Sequence, residues 1–209
     1  MKTGSQQLDS IIQYDSKITM IYGQAATGKT TMAKLAAMQA AKEGKKVIFI
    51  DSENGFSIDR FRQLAGPDYI KYFDNLIFFK PGNMQEQRKT IKSLIPIIEA
   101  GKIGLVIIDT IGIHYRIERS KDEKYANKSM DEAIRIFRWI VSKNIPVIMT
   151  NQVYSDLNNN VKNVGGNILF NACNLVIHLE KEPRILVLKK PTGKEAKFEI
   201  IETGLRLLE

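Results

Sequence analysis

Short apolar runs alternate with longer amphipathic segments over the first 150 residues of this 209-residue chain. Predominantly apolar runs of four or five residues predict strands that are covered on both faces, at residues 18–22, 47–51, 76–79, 105–109 and 146–150. The segments between them predict helices at residues 32–41, 58–64, 84–100 and 130–143. This alternation indicates a parallel sheet with right-handed crossovers.

The C-terminal part of the chain has a different pattern. Beyond residue 174, short strands are predicted at residues 175–179, 184–189 and 197–201, separated by turns that contain Pro or Gly. The predicted fold class is therefore α/β, with a mostly parallel twisted sheet, helices on both faces and C-terminal antiparallel hairpins. The helix at 130–143 is predicted to begin at Met130, because Ser129 and Glu132 have the spacing of a capping box.

The segment between the first strand and the first helix fits the motif G-x-x-x-x-G-K-[ST]. Its residues are Gly23, Gln24, Ala25, Ala26, Thr27, Gly28, Lys29 and Thr30. In this context the loop amides and the helix N-terminus bind phosphates, Lys29 reaches the β- and γ-phosphates, and the Thr30 hydroxyl binds Mg²⁺. We therefore predict that the protein binds ATP and Mg²⁺, with contacts that extend to Thr31.

Two carboxylates and one amide follow predicted parallel strands, whose carboxyl ends meet at one edge of a sheet. Asp109 ends the strand at 105–109 and is predicted to join Thr30 in the magnesium shell. Glu53 follows the strand at 47–51 and is predicted to orient the attacking water; an exposed loop glutamate is the alternative. Gln152 follows the strand at 146–150 and is predicted to respond to the γ-phosphate, which would connect the nucleotide to a predicted loop at 154–166.

Composition and charge limit the class of protein. With 44% apolar residues, residues 1–209 are predicted to form a single domain with one buried core. The one cysteine, Cys173, excludes an internal disulfide, and no apolar run approaches the ~20 residues of a membrane helix. We therefore expect a cytoplasmic protein without a membrane partner. The net charge of +8 is compatible with a polyanionic partner but does not identify one.

Six segments together resemble the RecA-like P-loop ATPase core of the RecA/RadA recombinase superfamily, and most closely its archaeal RadB-type paralogues. The segments are the phosphate-binding loop and residues 3–9, 49–61, 105–116, 150–153 and 165–169. The resemblance covers nearly the whole chain and implies an ATPase that acts in homologous recombination and DNA repair. It implies that Glu53 is catalytic together with Lys29 and Gln152, and that Arg60 is a further nucleotide contact.

The resemblance also implies two DNA-binding loops, at residues 115–128 and 154–166. Basic groups interleaved with aromatic rings suit a single strand, which is bound by phosphate contacts and base stacking. A solvated charged loop is the alternative for the first of these segments. The predicted DNA contacts are Tyr115, Arg116, Arg119, Lys121, Lys124 and Lys162.

The chain departs from the full-length recombinases at its start, which lies almost at the core. The helical DNA-binding domain and the subunit-docking linker are expected to be missing, so we expect weak or no self-polymerisation, with a dimer as the alternative. The leading hypothesis is an accessory protein with weak DNA-dependent ATPase activity, whose partners are DNA, with single strands favoured, and the main RadA-type recombinase. The alternatives are a nucleotide-switched adaptor of that recombinase with negligible hydrolysis, a RecA-like signalling ATPase that does not act on DNA, and a small-molecule kinase.

Overall fold

The computed structural model describes residues 1–15, 17–155 and 161–208, with the backbone alone at residues 154–155 and 161–163. In chain order the strands are β1 (Ile18–Gly23), β2 (Lys46–Asp51), β3 (Leu76–Phe79), β4 (Ile103–Asp109), β5 (Val147–Asn151), β6 (Val153–Ser155), β7 (Val161–Asn163), β8 (Leu175–Leu179), β9 (Ile185–Lys190), β10 (Thr192–Ile201) and β11 (Gly204–Leu207). The helices are α1 (Gln6–Asp9), α2 (Lys29–Lys42), α3 (Ile58–Ala65), α4 (Tyr69–Phe73), α5 (Met84–Glu99), α6 (Gly112–Arg119), α7 (Glu123–Ser142) and α8 (Gly166–Ala172), with a 3₁₀ turn at Gly66–Asp68.

Nine of the described strands form one sheet, in the order β11-β10-β9-β8-β1-β5-β4-β2-β3. From β3 through β8 all neighbouring strands are parallel. The strands β9, β10 and β11 extend the sheet as antiparallel hairpins, and β6 pairs with β7 in a separate hairpin. This arrangement confirms the predicted α/β class, including its parallel centre and its antiparallel C-terminal strands.

Apolar side chains fill both faces of the parallel part of the sheet. Alternate residues of a strand point to opposite faces, so Ile48 and Ile50 belong to one core. Val47 and Phe49 belong to the other core. The helices α5, α6, α7 and α8 cover the first face, and α1, α2 and α3 cover the second. Burial on both sides explains the near-continuous apolar runs from which these strands were predicted.

The helix α2 packs closely on the sheet because it presents small side chains. Ala33, Ala36, Ala37 and Ala40 are fully buried, and α2 contacts β4 and β5. The helix ends at Lys42, followed by Gly44 in the left-handed region with φ 74°, as the sequence predicted. Because the phosphate-binding loop leads directly into α2, this packing holds the loop against the edge of the sheet.

The segment 115–128 was predicted to be a loop, and this prediction was wrong. Most of it is helical, because α6 continues to Arg119 and α7 begins at Glu123. The Asp122 carboxylate caps α7 by accepting the Tyr125 amide at 2.8 Å. The predicted start at Met130 was also wrong, since the buried face of α7 begins one turn earlier, at Ala126. The loop predicted at 154–166 was also wrong in part, since residues 154–155 and 161–163 belong to the paired strands β6 and β7, and residues 156–160 lie outside the described residues.

Two expectations from composition concern membrane helices and the cysteine. Within the described ranges no helix is long and apolar enough to cross a membrane. Cys173 is buried, and burial raises the pKa of its thiol to about 12. The thiol is therefore protonated at neutral pH and packs as a small core residue.

Replacing Ser129 by alanine is expected to stabilise the protein by about 1 kcal/mol. Ser129 is buried inside α7 and its hydroxyl has no hydrogen-bond partner among the described residues. Alanine removes this unsatisfied group and has the higher helix propensity. Urea unfolding of both proteins measures the difference. Ser93→Ala is the control for a helical serine whose hydroxyl is satisfied, because Ser93 is exposed on α5 and its hydroxyl donates to the Thr90 carbonyl at 2.8 Å. A gain at Ser129 no larger than at Ser93 would contradict the prediction.

Candidate nucleotide-binding site

The phosphate-binding loop forms one wall of a cleft of about 340 Å³ at the carboxyl edge of the parallel strands. Six of the predicted nucleotide contacts line this cleft: Gly23, Gln24, Ala25, Ala26, Lys29 and Thr30. The opposite wall consists of Glu53, Thr110, Gln152 and Val153, which follow β2, β4 and β5. The structure thus brings the three predicted catalytic side chains, those of Lys29, Glu53 and Gln152, into one cleft.

The start of α2 has the features of an anion site. Its N-cap is Gly28, which has φ 103° and no side chain to bond the first amides of the helix. These amides and the positive end of the helix dipole are therefore left for a ligand. Gly23 is required for a different reason, because a Cβ atom there would lie 2.3 Å from the Leu179 carbonyl oxygen. Thr27 lies inside the loop and donates its hydroxyl to the Gln24 carbonyl at 2.9 Å.

The ammonium group of Lys29 is buried and is held by backbone carbonyls of its own loop. It donates to Gly23 at 3.0 Å and to Gln24 at 2.7 Å. Burial lowers the pKa of Lys29, and the nearby Asp109 and Glu53 act in the opposite direction. Among the described residues, the partners of this buried cation are therefore neutral carbonyls, and its positive charge lies in the wall of the cleft.

Glu53 accepts hydrogen bonds from groups at the ends of two neighbouring strands. Its Oε1 atom accepts from the Thr110 hydroxyl at 2.9 Å and from the Gln152 amide at 2.7 Å. The loop that carries Glu53 is itself held by Asp51, whose carboxylate accepts the amides of Gly55 and Phe56, both at 3.0 Å. Glu53 is exposed, and its carboxylate is positioned in the cleft by these specific bonds.

Thr30 and Asp109, the predicted magnesium ligands, are neighbours in the structure. Asp109 accepts a hydrogen bond from the Thr150 hydroxyl. Burial raises the pKa of Asp109, and the nearby hydroxyls of Thr150 and Thr30 counteract that effect. The peptide bond that follows it, to Thr110, is cis.

The residues of the cleft fit ATP and Mg²⁺. A hydroxyl and a carboxylate are the hard oxygen donors that Mg²⁺ prefers, and this ion commonly takes only one or two protein ligands beside phosphate oxygens and water. The described part of the chain contains no cluster of three or more His, Cys, Asp or Glu side chains that could hold a metal by itself. Lys29 and the uncapped start of α2 match the charge of a triphosphate.

Four of the predicted nucleotide contacts do not line the cleft: Thr27, Gly28, Thr31 and Arg60. Thr27 and Gly28 lie within the phosphate-binding loop, and Thr31 lies in the first turn of α2. Arg60 lies on α3 and donates to the carbonyls of Ile201 at 2.7 Å and Glu202 at 3.0 Å, at the end of β10. That strand also approaches Gly28 through Ile200. A contact of Arg60 with nucleotide stays a prediction.

Two residues that support the cleft were not predicted from the sequence. Thr110 was not among the predicted site residues, yet its hydroxyl bonds Glu53. Arg184 donates to the Ala26 carbonyl at 2.9 Å and so braces the phosphate-binding loop from the turn between β8 and β9. The polarity of Thr110 beside Asp109 was a usable signal. Arg184 lies 158 positions from Ala26, and no local pattern marks it.

The two predicted DNA segments meet at a recess of about 410 Å³ beside α6. Its lining residues are Tyr115, Arg116, Arg119, Ser120, Val164 and Gly165. Asn151 connects this recess to the nucleotide cleft, because its amide donates to the Val164 carbonyl at 2.6 Å and its oxygen accepts the Gln152 amide at 3.0 Å. Asn151 thus holds Val164, at the start of the Gly165-Gly166 turn, next to Gln152.

The predicted DNA contacts differ in their environments. Arg116, Arg119, Lys121 and Lys124 are exposed on α6, α7 and the turn between them. Tyr115 is only 2% exposed, and its hydroxyl bonds Asn127 at 2.7 Å. Its ring therefore presents no face for base stacking in this structure, which corrects the stacking role predicted for it. The side chain of Lys162 lies outside the described residues.

Comparison with known proteins identifies the family. A protein-family model described as Rad51 matches residues 1–206. The chain belongs to the Rad51 family. Among its relatives, "DNA repair and recombination protein RadB" of Thermococcus kodakarensis is 34% identical over 225 residues, with 100% of each chain covered. The protein of the same name from Methanobrevibacter smithii is 32% identical over 203 residues, which cover 90% of this chain and 86% of that one.

A solved structure supports the same assignment to the Rad51 family. "Crystal structure of the RadB recombinase" matches the described fold with a TM-score of 0.85 and 32% sequence identity, and covers 100% of this chain and 99% of that chain. These findings confirm the predicted family and its RecA-like core. The Rad51 family is a family of ATPases that act on DNA.

Replacing Asp109 by asparagine is expected to weaken Mg²⁺-dependent ATP binding and to stabilise the free protein. The pKa of Asp109 is raised on folding, so at neutral pH the chain must bury a charge or take up a proton, and either costs free energy. Asparagine removes this cost and can still accept from Thr150. Thermal unfolding without nucleotide should show a higher Tm at pH 7.5, and the gain should shrink as the pH falls toward the ordinary aspartate pKa of about 3.9.

The matched control is Asp59→Asn, because the Asp59 side chain is 82% exposed and bonds only Arg62 in the described contacts of α3. It should change neither Tm nor ATP affinity measurably. Unchanged Mg²⁺-dependent ATP binding in Asp109→Asn would contradict the predicted magnesium role, and a lower Tm would contradict the cost of burying this carboxyl.

Proposed function

We propose that this protein binds ATP, Mg²⁺ and DNA and acts in homologous recombination and DNA repair as a weak, DNA-dependent ATPase similar to the RadB proteins. The observation that carries the proposal is the meeting of Glu53, Thr110 and Gln152 opposite the phosphate-binding loop. Three side chains from the ends of separate parallel strands converge where the terminal phosphate of a nucleotide on the loop would lie. Such convergence favours chemistry at that phosphate over nucleotide binding alone.

Each side chain has a defined task in this proposal. Lys29 and the start of α2 bind the phosphates, and Thr30 and Asp109 hold Mg²⁺. Bound ATP and Mg²⁺ supply the γ-phosphoryl group and neutralise part of its charge. Glu53 orients a water molecule and accepts its proton, while Thr110 and Gln152 keep the carboxylate in place.

Gln152 provides the proposed link between nucleotide and DNA. Its amide bonds Glu53, and its backbone amide bonds the Asn151 side chain, which holds Val164. A change in the bonding of Gln152 would therefore be transmitted to the Gly165-Gly166 turn, which shares a recess with α6. The exposed guanidinium groups of Arg116 and Arg119 at this recess are the proposed contacts for DNA phosphates, and the exposed Lys121 and Lys124 extend the same basic surface.

Substitution of Glu53 by glutamine is expected to lower kcat for ATP hydrolysis by about 100-fold or more, because it removes the group that accepts the proton of the attacking water. ATP affinity, measured with a fluorescent ATP analogue, should change little since glutamine preserves the size of the side chain. Lys29→Ala should instead lose nucleotide binding. Glu195→Gln, at an exposed position on β10, is the control and should retain wild-type kcat. Hydrolysis at the wild-type rate by Glu53→Gln would rule out its catalytic role.

Removing Arg116 and Arg119 together is expected to weaken binding of a labelled single-stranded oligonucleotide, measured by fluorescence anisotropy across a salt series with and without ATP and Mg²⁺. Each lost phosphate contact should reduce the slope of log affinity against log salt by roughly 0.7, so the double alanine variant should lose roughly 1.4. The control is Arg62→Ala, since Arg62 is exposed on a helix and bonds a carboxylate three residues away.

The outcomes of this titration distinguish the functions. Saturable, salt-sensitive binding that ATP alters supports the recombination function. No DNA binding by the wild type at low salt would overturn the DNA-binding part of the proposal and would favour an adaptor of the main recombinase or a signalling ATPase. DNA binding that is unchanged in the double variant would move the DNA site away from α6.

A further inference from the structure

Gln87 is a buried amide that lies behind the nucleotide cleft without lining it. It belongs to the first turn of α5, where the Asn83 side chain caps the helix by accepting the Glu86 amide at 2.9 Å. The side chain of Gln87 is 1% exposed. A polar group buried to this degree costs free energy unless its hydrogen bonds are made, so its partners indicate its role.

Both ends of the Gln87 amide are bonded, and each bond goes to a different loop of the cleft. The Ser52 hydroxyl donates to Gln87 Oε1 at 3.2 Å. Gln87 Nε2 donates to the carbonyl of Ile111 at 3.3 Å. A carbonyl can only accept, so the amide nitrogen must face Ile111 and the amide oxygen must face Ser52. The chemistry of the partners therefore fixes the orientation of the side chain.

The two partners flank the residues that act in the cleft. Ser52 immediately precedes Glu53, and Ile111 immediately follows Thr110. Glu53 and Thr110 are themselves hydrogen-bonded at 2.9 Å. Gln87 thus closes a ring of contacts that runs through both loops. Among the described residues, its side chain is the one on α5 that bonds both loops.

The backbone alone does not fix Glu53. The Ser52 amide donates to the Asp109 carbonyl at 2.8 Å, which aligns the ends of β2 and β4. Beyond that bond the chain leaves the sheet. Asp51 accepts the amides of Gly55 and Phe56, and the Phe56 ring packs among other phenylalanine rings at the far end of the loop. At the end of the loop next to Glu53, the bond from Ser52 to Gln87 connects the chain to α5.

We propose that Gln87 is a positioning residue for Glu53. It touches neither the nucleotide nor the water in the cleft and acts through Ser52 and Ile111, which hold Glu53 and Thr110 at one separation. The inference rests on the proposed function, because it takes Glu53 to be the carboxylate that activates a water molecule. Small displacements of such a group change rates strongly, and about 1 Å can cost about 100-fold.

The first test is a kinetic cycle with Glu53. Gln87→Met keeps the length and burial of the side chain and removes both hydrogen bonds. It should lower kcat for ATP hydrolysis by about ten-fold while the affinity for a fluorescent ATP analogue stays within about two-fold. In the Glu53→Gln background the same substitution should have no further effect on kcat, because the residue that Gln87 positions is already lost. Gln85→Met, at an exposed position on the same helix, is the matched control.

One further variant separates the two bonds. Ser52→Ala removes only the bond to the loop of Glu53 and should reproduce part of the loss of kcat. If Gln87→Met does not fold, the kinetic cycle with Glu53→Gln uses Ser52→Ala instead of Gln87→Met.

The second test is amide hydrogen exchange in the absence of nucleotide, which needs no hydrolysis. Gln87→Met should speed exchange in residues 52–57 by about ten-fold relative to wild type and to Gln85→Met, since the loop loses its contact with α5. If the wild-type protein hydrolyses no ATP but Gln87→Met still speeds this exchange, the result contradicts the proposed function and supports the contact of Gln87 with both loops. Unchanged exchange, or a loss of kcat that persists in the Glu53→Gln background, would overturn the positioning role.

Discussion

The parallel register of β1, β5, β4 and β2 is the constraint on which the candidate site depends. Asp51 pairs with Asp109 across β2 and β4, and Tyr22 pairs with Asn151 across β1 and β5. Because these strands run in one direction, the chain leaves all of them at the same edge, and the phosphate-binding loop meets the loop of Glu53 there. Two packed cores hold that register, since a shift of one residue would turn each apolar set to the wrong face.

The same edge concentrates groups that are unfavourable for folding. Lys29 and Asp109 are both buried. Burial lowers the pKa of Lys29 and raises the pKa of Asp109, which favours the neutral form of each group. The start of α2 has no side-chain cap, and its amides lack the partner that a serine or aspartate would provide. Each of these features weakens the free protein and suits a ligand that brings negative charge and a divalent cation. Function and stability therefore make opposite demands on this part of the structure.

Hydrogen bonds join the nucleotide cleft to the surface beside α6 in a short, continuous path. Glu53, Gln152 and Asn151 lead to Val164, and the adjoining Gly165 lines the recess on α6. Gly112, at the start of α6, has no room for a side chain because a Cβ atom would lie 2.3 Å from the Asn151 oxygen. This close approach brings the helix against the end of β5, and it gives a physical basis for coupling between two ligands of the same protein.

The α/β class, the parallel strands and the phosphate-binding loop were predictable from the sequence, and so were the strand ends that carry Glu53, Asp109 and Gln152. These features depend on local spacing and on burial that recurs with a fixed period. The prediction for residues 115–128 was wrong, because charged residues there interrupt the short apolar faces of α6 and α7. The contacts between distant groups follow from the tertiary structure: Arg184 bonds the loop of Ala26, and Gln87 lies between Ser52 and Ile111. Such contacts join residues far apart in the chain, and no local pattern encodes them.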